Sequence, residues 1–90
     1  MINKWYFYYV DEKNIDNIAV FVICPSFKNA EEVIDDAIHK IFPTARISFD
    51  ENKNSDYKMN IEIRVYNNKL VCNYVIRNKG RIIEEDSFQC

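Results

Sequence analysis

The stretch YKMNIEIRVYNNKLVCNYVIRN, residues 57–78, decides the architecture. In its first half Tyr57, Met59, Ile61, Ile63 and Val65 alternate with Lys58, Asn60, Glu62, Arg64 and Tyr66, the two-residue period of a strand with one buried face. Asn67-Asn68 reads as the centre of a type I′ turn, because Asn tolerates positive φ better than most residues. Counting outward from that turn pairs Tyr66 with Lys69, Val65 with Leu70, Ile63 with Cys72, Ile61 with Tyr74 and Met59 with Ile76. The apolar residues of both strands then share one face, whereas a slip of one residue would send Leu70, Cys72, Tyr74 and Ile76 to the polar side.

Upstream, Asn3 to Val10 is a strand by propensity, dense in Trp5, Tyr6, Phe7, Tyr8 and Tyr9. After a polar turn, Asn17 to Cys24 forms a second strand, with Ile18, Val20 and Val22 on one side and Ala19, Phe21 and Ile23 on the other. Both strands are apolar or amphipathic on both faces. Pro25 stops the second, and Asn29 followed by Glu32 suggests a variant capping box at a helix start. Ala30, Val33, Ile34, Ala37, Ile38 and Ile41 recur at helical spacing, with Glu32, Asp35, Asp36 and His39 opposite. Early carboxylates and a late Lys40 agree with the helix dipole, and Pro43 ends the helix.

A short strand is expected over Thr44 to Asp50, with Ala45, Ile47 and Phe49 inward. Glu51 to Asp56 reads as a charged loop. Beyond the hairpin, Asn78-Lys79-Gly80 suits a three-residue turn pairing Ile76 with Ile82 in a short last strand. The tail from Glu84 to Cys90 is either loose or docked through Phe88. The expected fold is therefore α+β: a single-layer antiparallel sheet of five or six strands, order ββαβββ with a short strand to follow, and one helix on one face, all in one domain over residues 1–90.

Twelve basic and fourteen acidic residues leave a net charge of −2, which argues against a general nucleic-acid binder and against an acidic DNA mimic. Cys24, Cys72 and Cys90 have no CxxC spacing and suit a reducing compartment. No apolar run reaches the roughly 20 residues of a membrane span, and the start lacks signal-peptide layout. The expectation is a cytoplasmic chain with no membrane partner.

Chemistry finds little purchase. His39 is the sole histidine, expected on an exposed helix face with no apolar pocket to tune it. Gly80 is the sole glycine, so no glycine-rich phosphate loop can form. Glu32, Asp35, Asp36 and His39 share a helical face, but such a face is normally just solvated. No enzyme, cofactor or metal is expected.

What stands out is surplus apolar surface. One helix of about 13 residues, about 20 Å long, cannot cover both faces of the first two strands. The excess, centred on Trp5, Tyr6 and Tyr8, points to association with another protein or a second copy of the chain, with Glu32, Asp35 and Asp36 as an acidic surface that steers a basic partner. The expected function is a small non-catalytic protein-binding module acting sterically, as immunity proteins or phage anti-defence inhibitors do. Alternatives are a nucleic-acid-binding sheet using Lys58, Arg64 and Arg77, and a self-assembling structural protein.

Overall fold

The computed structural model describes residues 2–48 and 55–90. Six strands and one helix follow one another as β1 (Asn3–Glu12), β2 (Asp16–Pro25), α1 (Ala30–Ile41), β3 (Arg46–Ser48), β4 (Tyr57–Tyr66), β5 (Lys69–Asn78) and β6 (Arg81–Gln89). They form one open sheet of order β3-β1-β2-β4-β5-β6. This is the expected α+β class, with one correction: the sheet is mixed. β2 and β4 run parallel, pairing Ile18 with Tyr57 and Ile23 with Glu62, while the other pairings are antiparallel. The chain leaves β2, crosses one face as α1 and passes through β3 at the far edge before β4 returns beside β2. Only a long crossover of this kind permits a parallel neighbour. Alternation reports which way side chains face and is silent on strand direction.

The β4–β5 hairpin has the register counted from its turn, from Tyr66 opposite Lys69 to Met59 opposite Ile76. Asn67 and Asn68 both take positive φ, 50° and 62°, as a type I′ turn requires. The expected pairing of Ile76 with Ile82 is not formed. A register shift between Ile76 and Arg77 sets Ile76 opposite Glu84 and Arg77 opposite Ile82, a bulge that lets β6 run on as a full-length strand. The tail is thus neither short nor loose. Phe88 lies against Tyr74, with ring centroids 6.2 Å apart, and Lys40 Nζ sits over the Phe88 ring while donating to the Gln89 carbonyl at 3.0 Å.

Helix α1 buries Ala30, Ile34, Ala37 and Ile38 against Tyr8, Val10, Val20, Val22, Met59, Ile61, Cys72 and Ile76, all part of one core cluster. Each fully buried Ile contributes about 2 kcal/mol relative to exposure, which is what holds so short a helix to the sheet. The expected capping box is absent: Asn29, at φ −109° and ψ 31°, makes no side-chain capping bond. The Ala30 N–H instead bonds the Phe27 carbonyl at 3.2 Å, so a preceding turn supplies the partner. The third strand begins at Arg46 rather than at Thr44. Ala45 is buried ahead of it, and the expectations for Phe49, Asp50 and Glu51 to Asn54 lie outside the described residues.

Candidate functional site

Register carries the parity of β1 and β2 across the whole sheet. On the helix side lie Tyr6, Tyr8 and Val10. The other side carries Trp5 beside Ile23 and Phe7 beside Phe21, then Asn60 and Glu62 of β4, Val75 and Asn73 of β5 and Glu85 and Ser87 of β6. No helix among the described residues covers this second face. Trp5 is 67% exposed, Phe7, Phe21 and Ile23 are half-buried, and the Phe7 and Phe21 rings meet edge-on at 4.9 Å. Nearer the β1–β2 turn the same face closes over, with Tyr9 and Ala19 buried. Part of the surplus surface is therefore sheltered within the chain, and the part around Trp5 is not.

Trp5, Phe21, Ile23, Asn60, Glu62, Asn73 and Val75 line a shallow depression of about 280 Å³. Asn60 also lines a larger concavity, of about 560 Å³, together with Ser55, Asp56, Lys58, Arg77, Lys79 and Gly80. Lys58 and Arg77 are direct cross-strand partners, and Arg77 donates to Asn60 Oδ1 at 3.4 Å. Lys79 and Gly80 hold positive φ, 50° and 83°, and the Lys79 N–H bonds the Asp56 carbonyl at 2.9 Å, which fixes that turn beside the two strands. Arg64 lies further along the face, ion-paired with Glu62.

The residues singled out in the sequence are thus divided. Trp5 alone of the three aromatics reaches the open face. Tyr8 is 3% exposed: it belongs to the core and is unavailable for contact, and burial, with Glu31 next, pushes its hydroxyl pKa up to about 12. Tyr6 is half-buried on the helix side, with Lys4 over its ring, and shares a concavity with Glu32 at the start of α1. Glu32, Asp35 and Asp36 are exposed, but on the side of the sheet opposite Trp5. A sheet with a helix on it is about 20 Å deep, about two and a half Debye lengths at physiological salt, so those carboxylates are largely screened from a partner at Trp5. Of the alternative set, Lys58 and Arg77 come together and Arg64 stands apart with its own counter-charge.

His39 is not simply solvated. Its Nδ1 lies 3.0 Å from the Asp35 carbonyl oxygen and 3.4 Å from Asp35 Oδ2, and its Nε2 lies 3.0 Å from the Ala45 carbonyl oxygen. Both neighbours are acceptors, so both nitrogens donate in the imidazolium form, and the pKa is raised, chiefly by the Ala45 contact against a smaller opposing effect of burial. The ring ties the end of α1 to the approach to β3, and its nitrogens are committed to that task. Cys24 and Cys72 are buried, their pKa values pushed up by desolvation to about 11 and about 12. The Cys90 thiol lies close enough to that of Cys72 to help raise its pKa, a meeting of distant residues that sequence spacing did not suggest. Alternation of β5 and β6 could have revealed it, had the register of β6 been known.

The fold and site define a small α+β domain whose most distinctive surface is a sheet face that no helix among the described residues covers. No helix among the described residues is long and apolar enough to cross a membrane. Neither a protein-family model, a curated protein nor a solved structure matches the chain.

Proposed function

We propose that this chain is a non-catalytic protein-binding module that acts sterically, by laying its open sheet face against another protein and occupying a surface that partner needs. The observation that carries the reading is Trp5, a large aromatic left 67% exposed on a rigid strand and flanked by Ile23, Phe7 and Phe21. Trp is the residue type most enriched where a few side chains supply most of the binding energy, and an anchor held in a sheet loses little freedom on docking. Steric inhibition needs no reacting group, which agrees with the committed nitrogens of His39 and the buried thiols.

The test is capture of a partner from native cells by three tagged forms: the unaltered chain, Trp5→Ser and Asp36→Ser. The partner should be retained by the first and third and lost by the second. Equal recovery by Trp5→Ser would remove the open face from consideration. A second copy of the chain as the occupant would appear as a dimer mass in sedimentation without any partner.

One observation favours a second reading, a single-stranded nucleic-acid platform: Lys58 and Arg77 meet in a concavity one step from Phe21. Bases would stack on the aromatics and phosphates would sit on the cations. Such binding falls steeply with salt, and its absence at low salt would end this reading.

A further inference from the structure

The open face holds two concavities that Asn60 joins, one apolar around Trp5 and one basic. Lys58, Arg77 and Lys79 line the second, with Asp56 the one acid in its lining among the described residues. Such a lining carries more positive than negative groups and favours an anion. Asn60 takes an Arg77 N–H, and Lys58 and Lys79 are exposed.

We propose that the face recognises an acidic protein segment, one that sets an aromatic or aliphatic side chain in the Trp5 depression and neighbouring Asp or Glu carboxylates in the Lys58–Arg77–Lys79 concavity. This rests on the reading of the open face as a protein-docking surface and adds the chemistry of the partner. The cations form a compact group. Glu62, which holds Arg64, and Glu85, opposite Val75, interrupt the positive band on the way to β6. A polynucleotide carries a charge on every residue and would run past those acids, whereas two carboxylates on an extended segment, about 7 Å apart at alternate positions, fit a cluster of three.

The experiment is panning of a random peptide display library on the immobilised chain, on Lys58→Glu/Arg77→Glu and on Trp5→Ser, with circular dichroism confirming that each variant is folded. The unaltered chain should enrich peptides with an apolar anchor next to two or more acidic residues. The charge-reversed double variant should lose the acidic preference and Trp5→Ser the anchor. A synthetic peptide of the enriched sequence should bind at least about tenfold more weakly to the double variant, followed by the emission of Trp5, the sole tryptophan. Apolar peptides without acids would overturn the inference and leave the open face as the docking surface. Peptides indifferent to all three substitutions, or no enrichment, would overturn both. A fifteen-residue thymidine oligonucleotide is the parallel probe: salt-steep binding lost in Lys58→Glu/Arg77→Glu, in place of peptide enrichment, would assign the site to nucleic acid instead.

Discussion

Trp5 and Tyr8 lie on the same strand three residues apart and face opposite sides of the sheet, one 67% and the other 3% exposed. Their truncations should therefore separate binding from folding. Tyr8→Ala removes a ring from beneath α1 and should cost about 3–5 kcal/mol, the range for a buried aromatic. Trp5→Ala should change stability by no more than about 1 kcal/mol while abolishing partner recovery. Urea denaturation of the two variants checks the contrast; similar losses in both would mean that Trp5 is packed.

Stability should depend on pH through His39. Its pKa is raised in the folded chain by the Ala45 and Asp35 acceptors, so the native state binds the proton more tightly than the unfolded chain, whose value is about 6.5. The stabilisation is fully present below about pH 6.5 and is lost as pH rises through the folded value. The urea midpoint should fall across that interval, and the fall should vanish in His39→Gln. As the sole histidine, His39 can be titrated directly by NMR, and a value below that of a free imidazole would contradict the geometry.

The thiols should react in a fixed order. Burial raises the pKa of all three thiols, to about 11 for Cys24 and about 12 for Cys72, so the order rests on access: Cys90 is exposed, while Cys24 and Cys72 are buried. A chromogenic disulfide reagent should label one thiol quickly and the other two only at the rate of global opening. Rapid modification of Cys72 would show that β6 detaches from β5.

The hairpin turn offers a local test. Asn68 holds φ at 62°, a region that costs a β-branched residue about 1–2 kcal/mol and glycine almost nothing. Asn68→Gly should stabilise the chain by a few tenths of a kcal/mol and Asn68→Val should destabilise it by about 1–2 kcal/mol, both read as shifts in the thermal midpoint. The opposite order would mean that the turn is not type I′.

Much of this architecture is legible in the chain, for reasons that differ by element. The β4–β5 register follows from alternation plus a turn whose φ demand suits Asn, and the helix follows from the spacing of Ala30, Ile34, Ala37 and Ile38. The parallel β2–β4 contact is not legible, because a strand apolar on both faces fits any interior position. The helix-side face of β2 is apolar because α1 lies across it, whereas Phe21 and Ile23 lie half-buried on the open side. The bulge at Ile76/Arg77 is hidden for a related reason: Ile82 and Ile83 are both apolar, so hydrophobic pattern alone does not choose which one pairs. As to the site, the surplus of apolar surface on β1 was visible, but not its parity, and parity is what puts Trp5 outside and Tyr8 inside. The cluster of Lys58, Arg77 and Lys79 beside Asn60 depends on the β4–β5 register and on the left-handed Lys79-Gly80 turn, and the neighbourhood of Phe21 depends on the parallel pairing.

The most direct test of the open face as the contact surface is site-specific photocrosslinking in native cells, with a benzophenone amino acid placed at position 5 or, as the control, at Asp36 on the far side of the molecule. A discrete adduct from position 5 and none from position 36 is the expected result. An adduct from position 36 alone would put the partner on the acidic helix and contradict the account.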